Sequence, residues 1–221
     1  MRAKERFKGL AIGLLTPIRF ASTTGHFKSS IARRAVDVHG DPLPWFSYPA
    51  IFFLQQLDLG NDDVLEFGGG QSTLWWADHA KSVFTVEHDP EWFSYLRKEV
   101  QRSNVTLNLA EDYDAHARLP LGRQFSVVLI DGGDRLKCAG TALDVAHGDD
   151  PLVILDNSEG HWTPDGSASY PILDMFDAAG WLRVDISGYA PGTIRPTCTS
   201  FFFRPGTKRL TGLRPPPRLR R

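Results

Sequence analysis

Apolar runs and longer amphipathic segments alternate along the middle of this chain. The apolar runs are rich in valine, leucine, isoleucine and phenylalanine, a composition that is typical of buried β-strands. They predict strands at residues 63–67, 82–87, 105–109, 125–131 and 152–156. The segments between them predict helices at residues 72–80, 90–103, 134–147 and 170–179. This alternation indicates an α/β fold with an open, mostly parallel sheet that carries helices on both faces.

The last part of the chain departs from this alternation. Two further strands, predicted at residues 181–186 and 197–203, are separated by a loop with glycine and proline rather than by a helix. We therefore expect them to form an antiparallel pair at one edge of the sheet. In sheets of this kind ligands bind at the carboxyl ends of the strands, so the residues that end each strand are the first candidates for a functional site.

The N-terminus has a pattern of its own. Four basic side chains within residues 2–8 precede an apolar stretch that runs from Gly9 to Ile18 and is broken by Pro17. The stretch is too short to cross a bilayer and predicts a short amphipathic helix. We expect this helix to pack on the body of the protein; the alternative is peripheral contact with a membrane. Its apolar side would carry Phe7, Leu10, Leu14 and Ile18.

Composition narrows the class of protein. The chain has 221 residues, of which 42% are hydrophobic and 23% charged, and this suits one domain with a well-formed core. A disordered protein would be less apolar, and an integral membrane bundle would be less charged. Two cysteines exclude a disulfide scaffold and a cysteine-rich zinc module, and they lead us to expect a reducing, cytoplasmic setting.

The net charge of −1 hides an uneven distribution. Residues 1–40 carry 8 basic and 2 acidic side chains, residues 204–221 carry 7 basic and no acidic ones, and the middle carries 10 basic and 24 acidic ones. We therefore divide the chain into a basic helical extension (1–40), a folded domain (41–204) and a basic, disordered tail rich in proline and arginine (205–221). Basic ends of this kind suit contact with a polyanion or a membrane surface, or they remain solvated.

A glycine turn follows the first predicted strand. The sequence Glu66-Phe-Gly-Gly-Gly70 lets a ligand approach the backbone where the next helix begins. A dinucleotide-binding fingerprint would need another glycine at position 73, where this chain has threonine. The carboxylate of Glu66 suits a cationic ligand better than a pyrophosphate. Glu87 ends the second strand, where an acid can accept hydrogen bonds from both ribose hydroxyls.

At these positions the chain resembles the class I S-adenosylmethionine (SAM)-dependent methyltransferases. Their pattern, an acid before a Gly-x-Gly turn and an acid that ends strand two, is matched by Glu66-x-Gly68-x-Gly70 and Glu87. The resemblance covers residues 41–204 and implies a Rossmann-like, seven-stranded sheet with SAM as the cofactor. It implies that the turn surrounds the methionine part, that Glu87 holds the ribose and that an acid after strand three lies near the adenine. The cofactor contacts implied are Glu66, Gly68, Gly69, Gly70, Ser72, Glu87, His88, Asp112 and Asp131.

A closer resemblance is to one group within this class, whose members share six short motifs. In this chain the motifs are Pro44-Trp45-x-x-Tyr48-Pro49, Gly70-x-Ser72-Thr73-Leu74, Val86-Glu87-His88-Asp89-x-Glu91-Trp92, Ile130-Asp131-Gly132-x-Asp134-Arg135, Ile154-Leu155-Asp156-Asn157-Ser158 and Thr199-Ser200-x-Phe202-x-Arg204. The motifs are specific to the group, but they imply no substrate.

The fourth and fifth strands end in residues that suit catalysis. Methyl transfer requires a positioned acceptor and, for a hydroxyl or an amine, a base that removes its proton. The candidate bases are Asp131, Asp134, Asp156 and His161. Aromatic residues nearby suit a planar or sugar-like acceptor, and the glycine- and serine-rich loop at residues 158–169 suits a lid. A helix that begins at Tyr48 should cross the mouth of the cofactor site. The predicted substrate contacts are Trp45, Tyr48, Arg135 and Trp162.

The same strand ends are similar to the metal site of cation-dependent O-methyltransferases. That resemblance implies a Mg²⁺ ion held by Asp131, Asp156 and Asn157, since this ion prefers oxygen ligands. The chain departs from the pattern, because the second acid follows Asp131 by three residues rather than two and the next lysine is absent. The alternative is a hydrogen-bonded network that holds the loops. Asp134 and Arg135 would then form an ion pair, or bind an anionic substrate group.

Together these features predict a SAM-dependent methyltransferase that acts on an oxygen of a small hydroxylated metabolite. Two alternatives stay open: a protein of this fold that binds SAM without transfer activity, and a nucleic-acid methyltransferase that uses the basic ends. The acidic middle and the lack of an Asn-Pro-Pro-Tyr-type motif argue against the second alternative. We therefore expect a small-molecule acceptor and no nucleic-acid partner.

Overall fold

The computed structural model describes residues 3–160 and 169–216, and its centre is one seven-stranded sheet. The strands are β1 (Asp63–Phe67), β2 (Ser82–Glu87), β3 (Val105–Leu109), β4 (Val127–Ile130), β5 (Leu152–Asp156), β6 (Leu182–Tyr189) and β7 (Pro196–Phe203). Their spatial order is β3-β2-β1-β4-β5-β7-β6. The first five are parallel, whereas β7 is antiparallel to both β5 and β6. The predicted fold class, including the antiparallel C-terminal pair at one edge, is confirmed.

Among the described residues, helices precede β1 and also separate the strands from β1 to β6. In the described residues they are α1 (Ala3–Thr24), α2 (His26–Ala32), α3 (Tyr48–Leu54), α4 (Gln71–His79), α5 (Pro90–Glu99), α6 (Tyr113–Arg118), α7 (Arg135–Val145) and α8 (Tyr170–Ala178). The helices α5 and α7 begin where predicted because Asp89 and Asp134 accept hydrogen bonds from first-turn amides. The short helices α2 and α6 have no periodic pattern long enough to predict them.

Two layers of apolar side chains cover the sheet. Phe201 and Phe203 of β7 lie in the layer that contains α3 and α4, whereas Phe202 lies in the layer that contains α7 and α8. This alternation is the expected two-residue period of a strand with both faces buried. Because both faces are covered, the carboxyl edge of the sheet is where a ligand can reach it.

Helix α1 corrects one expectation. It is a single helix of 22 residues, and it does not pack on the body along its length, since Leu10, Leu14 and Ile18 are 62%, 63% and 56% exposed. The Phe7 side chain falls outside the described part of the chain. The C-terminal end of α1 is anchored where the ring of Phe20 meets Tyr48 edge-on, with centroids 5.2 Å apart. None of the described helices is long and apolar enough to cross a membrane.

Part of the segment with predicted disorder is held against the domain. Arg209 pairs with Asp62 at 2.7 Å, and each of the two side chains is 9% exposed. The Nε of Arg209 also donates to the backbone oxygen of Asp150, whose carboxylate accepts the amides of Lys208 and Arg209. These contacts fix the path of the chain after β7. The division of the chain at residues 40 and 204 stays a prediction.

Replacing Arg209 by alanine would leave Asp62 as a buried charge without its partner. We expect Arg209→Ala to lower the free energy of unfolding by about 3 kcal/mol, as is typical when a buried ion pair is broken. The matched control is Arg214→Ala, which removes an exposed pair with Asp58 and should change stability by less than about 1 kcal/mol. Urea denaturation measures both variants, and equal losses would contradict the role of Arg209.

Candidate active site

The loops that follow β1 and β4 touch at the carboxyl edge of the sheet. Gly68 adopts a φ of +86°, and a Cβ at this position would lie 2.9 Å from the Cα of Gly132. A Cβ at Gly132 would lie 2.7 Å from the Cα of Gly68. Distances this short exclude a side chain at either position, so the glycines are required for the contact. The amide of Asp131 donates to the carbonyl of Phe67 at 3.0 Å and fixes it further.

Glu66 is fully buried beside this contact. Its Oε2 accepts hydrogen bonds from the hydroxyls of Thr73 (2.5 Å) and Thr85 (2.8 Å), whereas Oε1 has no hydrogen-bond partner among the described residues. Burial raises the pKa of Glu66 to about 7 and the charge of Asp131 adds to the rise. The hydroxyl groups of Ser72, Thr73 and Thr85 oppose the rise. The carboxyl group is therefore balanced between its neutral and charged forms near neutral pH.

Thr73 is a site residue that the sequence interpretation did not identify. It stands where a dinucleotide fingerprint has its third glycine, and it is fully buried. Its hydroxyl accepts a hydrogen bond from the amide of Gly70 at 3.0 Å and donates to Glu66, so it ties the glycine turn to the carboxylate. The signal in the sequence is a hydroxyl side chain three residues after the turn glycine, a spacing that suits a bond back to the start of the helix.

Glu87 at the end of β2 holds the glycine turn against the start of α5. Its Oε2 accepts the amide of Gly69 at 3.0 Å, and its Oε1 accepts the amides of His88 at 2.8 Å and Asp89 at 2.9 Å. The indole of Trp92 holds the turn from the other side, since its Nε1 donates to the carbonyl of Gly69 at 2.7 Å. Oε2 of Glu87 keeps a lone pair that a ligand hydroxyl can use.

Three aromatic rings lie next to the end of β2, where the resemblance places the ribose. The ring of His88 lies 5.2 Å from that of Tyr113 and 5.7 Å from that of His116, measured between centroids. Tyr113 and His116 were not identified from the sequence, because they belong to the short helix α6. Asp112 accepts a first-turn amide of α6 and so caps that helix. Its predicted contact with the adenine stays a prediction.

Arg135 joins the ends of β4 and β5. Its Nη2 lies 3.0 Å from Oδ1 of Asp131 and 3.4 Å from Oδ1 of Asn157. The guanidinium thus pairs with Asp131. Asp134, the partner considered from the sequence, instead caps α7 and lies 3.6 Å from Nζ of Lys137. These contacts match the alternative to a metal site, which is a hydrogen-bonded network that holds the loops.

Asp156 ends β5 and is only 2% exposed. Its Oδ1 accepts a hydrogen bond from the hydroxyl of Thr199 at 2.8 Å. Burial raises the pKa of Asp156 well above its usual range, and the charge of Asp131 raises it further. These donors do not fit the predicted Mg²⁺ ion, because the guanidinium of Arg135 already bridges Asp131 and Asn157. Within residues 3–160 and 169–216, no three His, Cys, Asp or Glu side chains cluster in a metal-binding arrangement.

A cavity of about 540 Å³ opens beside these carboxyl groups. Asp131, Asp156 and Asn157 form one side of it, and the loop between β6 and β7 forms the other. Trp45, a predicted substrate contact, lies on the wall, is 44% exposed and donates from Nε1 to the carbonyl of Pro191 at 2.8 Å. Further wall residues, which no periodic sequence pattern indicates, are Glu159, Thr193, Ile194, Arg195 and Thr197.

Tyr48 does not lie on this wall. It is 2% exposed, and its ring lies among those of Phe20, His26 and Phe52, with centroids 5.2, 6.2 and 6.3 Å away. The helix that begins at Tyr48, α3, packs against β6. Tyr48 anchors the N-terminal helices, and its predicted contact with a substrate stays a prediction. The remaining predicted residues, which fall outside the described part of the chain, are His161 and Trp162.

No family model matches the sequence, and a comparison with curated proteins finds no relative. Solved structures are similar to it in fold. Spermidine synthase from Thermotoga maritima is 15% identical, with a TM-score of 0.55 over 73% of this chain and 60% of that chain. N-methyltransferase NodS from Bradyrhizobium japonicum WM9 is 10% identical, with a TM-score of 0.51 over 70% and 92%. Cofactor-bound Rv0187 from MTB is 20% identical, with a TM-score of 0.51 over 69% and 75%.

Identities this low show the fold alone. The chain has the Rossmann-like, seven-stranded fold of the SAM-dependent methyltransferases, with an antiparallel β7 placed between β5 and β6. It spans less than two thirds of the spermidine synthase that it matches. The roles of the individual site residues rest on the geometry described above.

The raised pKa of Glu66 implies a pH-dependent contribution to stability. The folded state holds this proton more tightly than the unfolded chain does, so the stabilisation is complete below about pH 4.5 and is lost as the pH rises through about 7. Glu66→Gln cannot ionise, so the variant lacks this contribution. We expect the stability of the wild type relative to this variant to fall by about 3 kcal/mol over that range.

Urea denaturation at several pH values measures this difference. Glu91→Gln changes an exposed glutamate in the first turn of α5, so its pH profile should follow that of the wild type. Parallel profiles of the wild type and Glu66→Gln would contradict the raised pKa of Glu66.

Proposed function

We propose that this chain is a SAM-dependent methyltransferase that methylates an oxygen of a small hydroxylated molecule. The proposal rests on the position of Asp131. Its amide bonds to the carbonyl of Phe67 next to the glycine turn, and its side chain lines the cavity of about 540 Å³. A methyl donor held at the turn and an acceptor held in the cavity would therefore meet beside Asp131.

The residues around the glycine turn fit SAM. The buried Oε1 of Glu66 lacks a partner among the described residues, and a ligand group that donates a hydrogen bond would satisfy it. Gly70 leaves open space at the turn, since a Cβ there would meet no atom nearer than 3.8 Å. Oε2 of Glu87 suits a ribose hydroxyl, and the rings of His88 and Tyr113 suit the adenine. When bound, SAM supplies a methyl group on a positively charged sulfur.

Asp131 is the base in this proposal. The guanidinium of Arg135 pairs with Asp131 at 3.0 Å, while burial and the negative charge of Asp131 favour a protonated Asp156. One carboxyl group can therefore accept a proton and the other can donate a hydrogen bond to the acceptor. The acceptor oxygen forms its bond to the methyl carbon as Asp131 takes the hydroxyl proton. SAM held at the turn would supply the methyl group, and its sulfur would keep the electron pair of the broken carbon–sulfur bond.

The cofactor assignment is tested by calorimetry with SAM. We expect Glu87→Gln to weaken binding by about tenfold or more, because a charged acceptor of the ribose hydroxyls is lost. Glu91→Gln should bind SAM as the wild type does. Unchanged affinity in Glu87→Gln would overturn the ribose contact, and a wild type that does not bind SAM would overturn the proposed function.

The base is tested by the transfer of a labelled methyl group from SAM to a metabolite extract. We expect Asp131→Asn to lower the rate by about 100-fold or more while SAM affinity stays unchanged, since a proton acceptor is removed. Asp134→Asn is the matched control; it alters a carboxylate that caps α7 and should keep most of the activity.

A chelator should leave the rate unchanged, because the donors at the strand ends do not fit a Mg²⁺ ion. A similar loss of activity in Asp131→Asn and Asp134→Asn would contradict the assignment of the base. Binding of SAM with no labelled product would favour a protein that binds the cofactor without transferring its methyl group.

A further inference from the structure

Helix α1 has an apolar face that nothing in the described structure covers. Leu10, Leu14 and Ile18 are four residues apart and therefore share one face of the helix. Leu15 extends this face, and the four side chains are 56–63% exposed. The ring of Phe20, which packs on the body, projects from the opposite side of the helix at 3.6 residues per turn. Ala21, on the same face three residues after Ile18, is only 6% exposed, so the face is uncovered from Leu10 to Ile18 and meets the body beyond it.

The apolar surface continues onto α2 and the loop between β6 and β7. Phe27 and Ile31 of α2 are 50% and 86% exposed, and Ile194 of the loop is 91% exposed. Ile18, Phe27 and Ile194 line one cavity of about 420 Å³, so the three elements form one surface. Apolar surfaces of this kind mark interaction sites. We call it the apolar face, and its members are Leu10, Leu14, Leu15, Ile18, Phe27, Ile31 and Ile194.

Basic side chains accompany the apolar face. The exposed ones are Lys8, Arg19, Lys28, Arg33 and Arg34. Residues 1–36 contain a single acidic residue, Glu5. A positive border of this kind complements an anionic surface, and it would repel a second copy of the same face.

We propose that the apolar face docks on an anionic lipid bilayer, with α1 lying in the plane of the interface. The stretch between Lys8 and Arg19 measures about 16 Å along a helix. This is roughly half of the hydrocarbon thickness of a bilayer, so the stretch is too short to cross it. Its apolar side chains can enter the acyl region while the charges at both ends stay at the headgroups. Thr193 and Ile194 line both this surface and the acceptor cavity, so docking would bring the wall of that cavity to the membrane.

Co-sedimentation of the full chain with lipid vesicles tests the proposal without reference to enzymatic activity. We expect binding to vesicles that contain phosphatidylglycerol, weaker binding to phosphatidylcholine alone, and release at high salt because the charges are screened. Leu14→Glu and Ile18→Glu should each lower the partition coefficient by about tenfold or more, since a charge replaces an inserted aliphatic group.

Matched substitutions elsewhere are the controls. Leu121→Glu changes a leucine of similar exposure, 45%, in the loop between α6 and β4 and should bind as the wild type does. Arg19→Glu should weaken binding to anionic vesicles by about tenfold, whereas Lys98→Glu on α5 makes the same change in net charge and should alter it by less than about twofold. Circular dichroism spectra establish that each variant is folded.

Two results would overturn the proposal: a wild-type chain that does not bind anionic vesicles, and charged variants of Leu14 and Ile18 that bind as well as the wild type. Analytical ultracentrifugation adds a third. A stable dimer that Leu14→Glu dissociates, without vesicle binding, would assign the apolar face to a second copy of the chain.

Discussion

The contact between Gly68 and Gly132 is the constraint on which the candidate site depends. A methyl group on either residue would stand less than 3.0 Å from the opposite Cα, so the loops after β1 and β4 can approach each other only with glycine at both positions. Pairing of β1 with β4 brings the two strand ends side by side. The glycine contact then lets Asp131 bond to the backbone of Phe67 while its side chain lines the cavity. One backbone contact therefore joins the proposed cofactor side to the acceptor side.

Four carboxyl groups share this edge, and the surroundings of two of them favour the neutral form. Glu87 accepts backbone amides, and Asp131 pairs with a guanidinium. Glu66 and Asp156 are buried with hydroxyl partners, and burial raises the pKa of both. Repulsion among four close negative charges is thereby reduced. The strongly acidic composition of the domain thus overstates the charge that the site has to hold.

The strands and the acids at their ends could be predicted because they depend on local pattern. Continuous apolar runs define the central strands, and a residue that ends a parallel strand lies at the carboxyl edge, where Glu87 and Asp131 are found. The partners of side chains could not be predicted in this way. Arg135 pairs with Asp131 rather than the adjacent Asp134, whose side chain turns to the amides of α7. Tyr48 anchors the N-terminal helices because α3 packs on β6, a tertiary relation that no local motif contains.

The N-terminal helix shows a different limit to what can be predicted from the sequence. A 3.6-residue period predicts that a helix has an apolar face but not what covers it, and here only the C-terminal end of α1, around Phe20 and Ala21, packs on the body. The occupant of this face also bears on the candidate site, since Thr193 and Ile194 line both cavities. A molecule that covers the apolar face would therefore contact residues that also line the cavity beside Asp131. The loop between β6 and β7 thus connects the apolar face with the cavity beside Asp131.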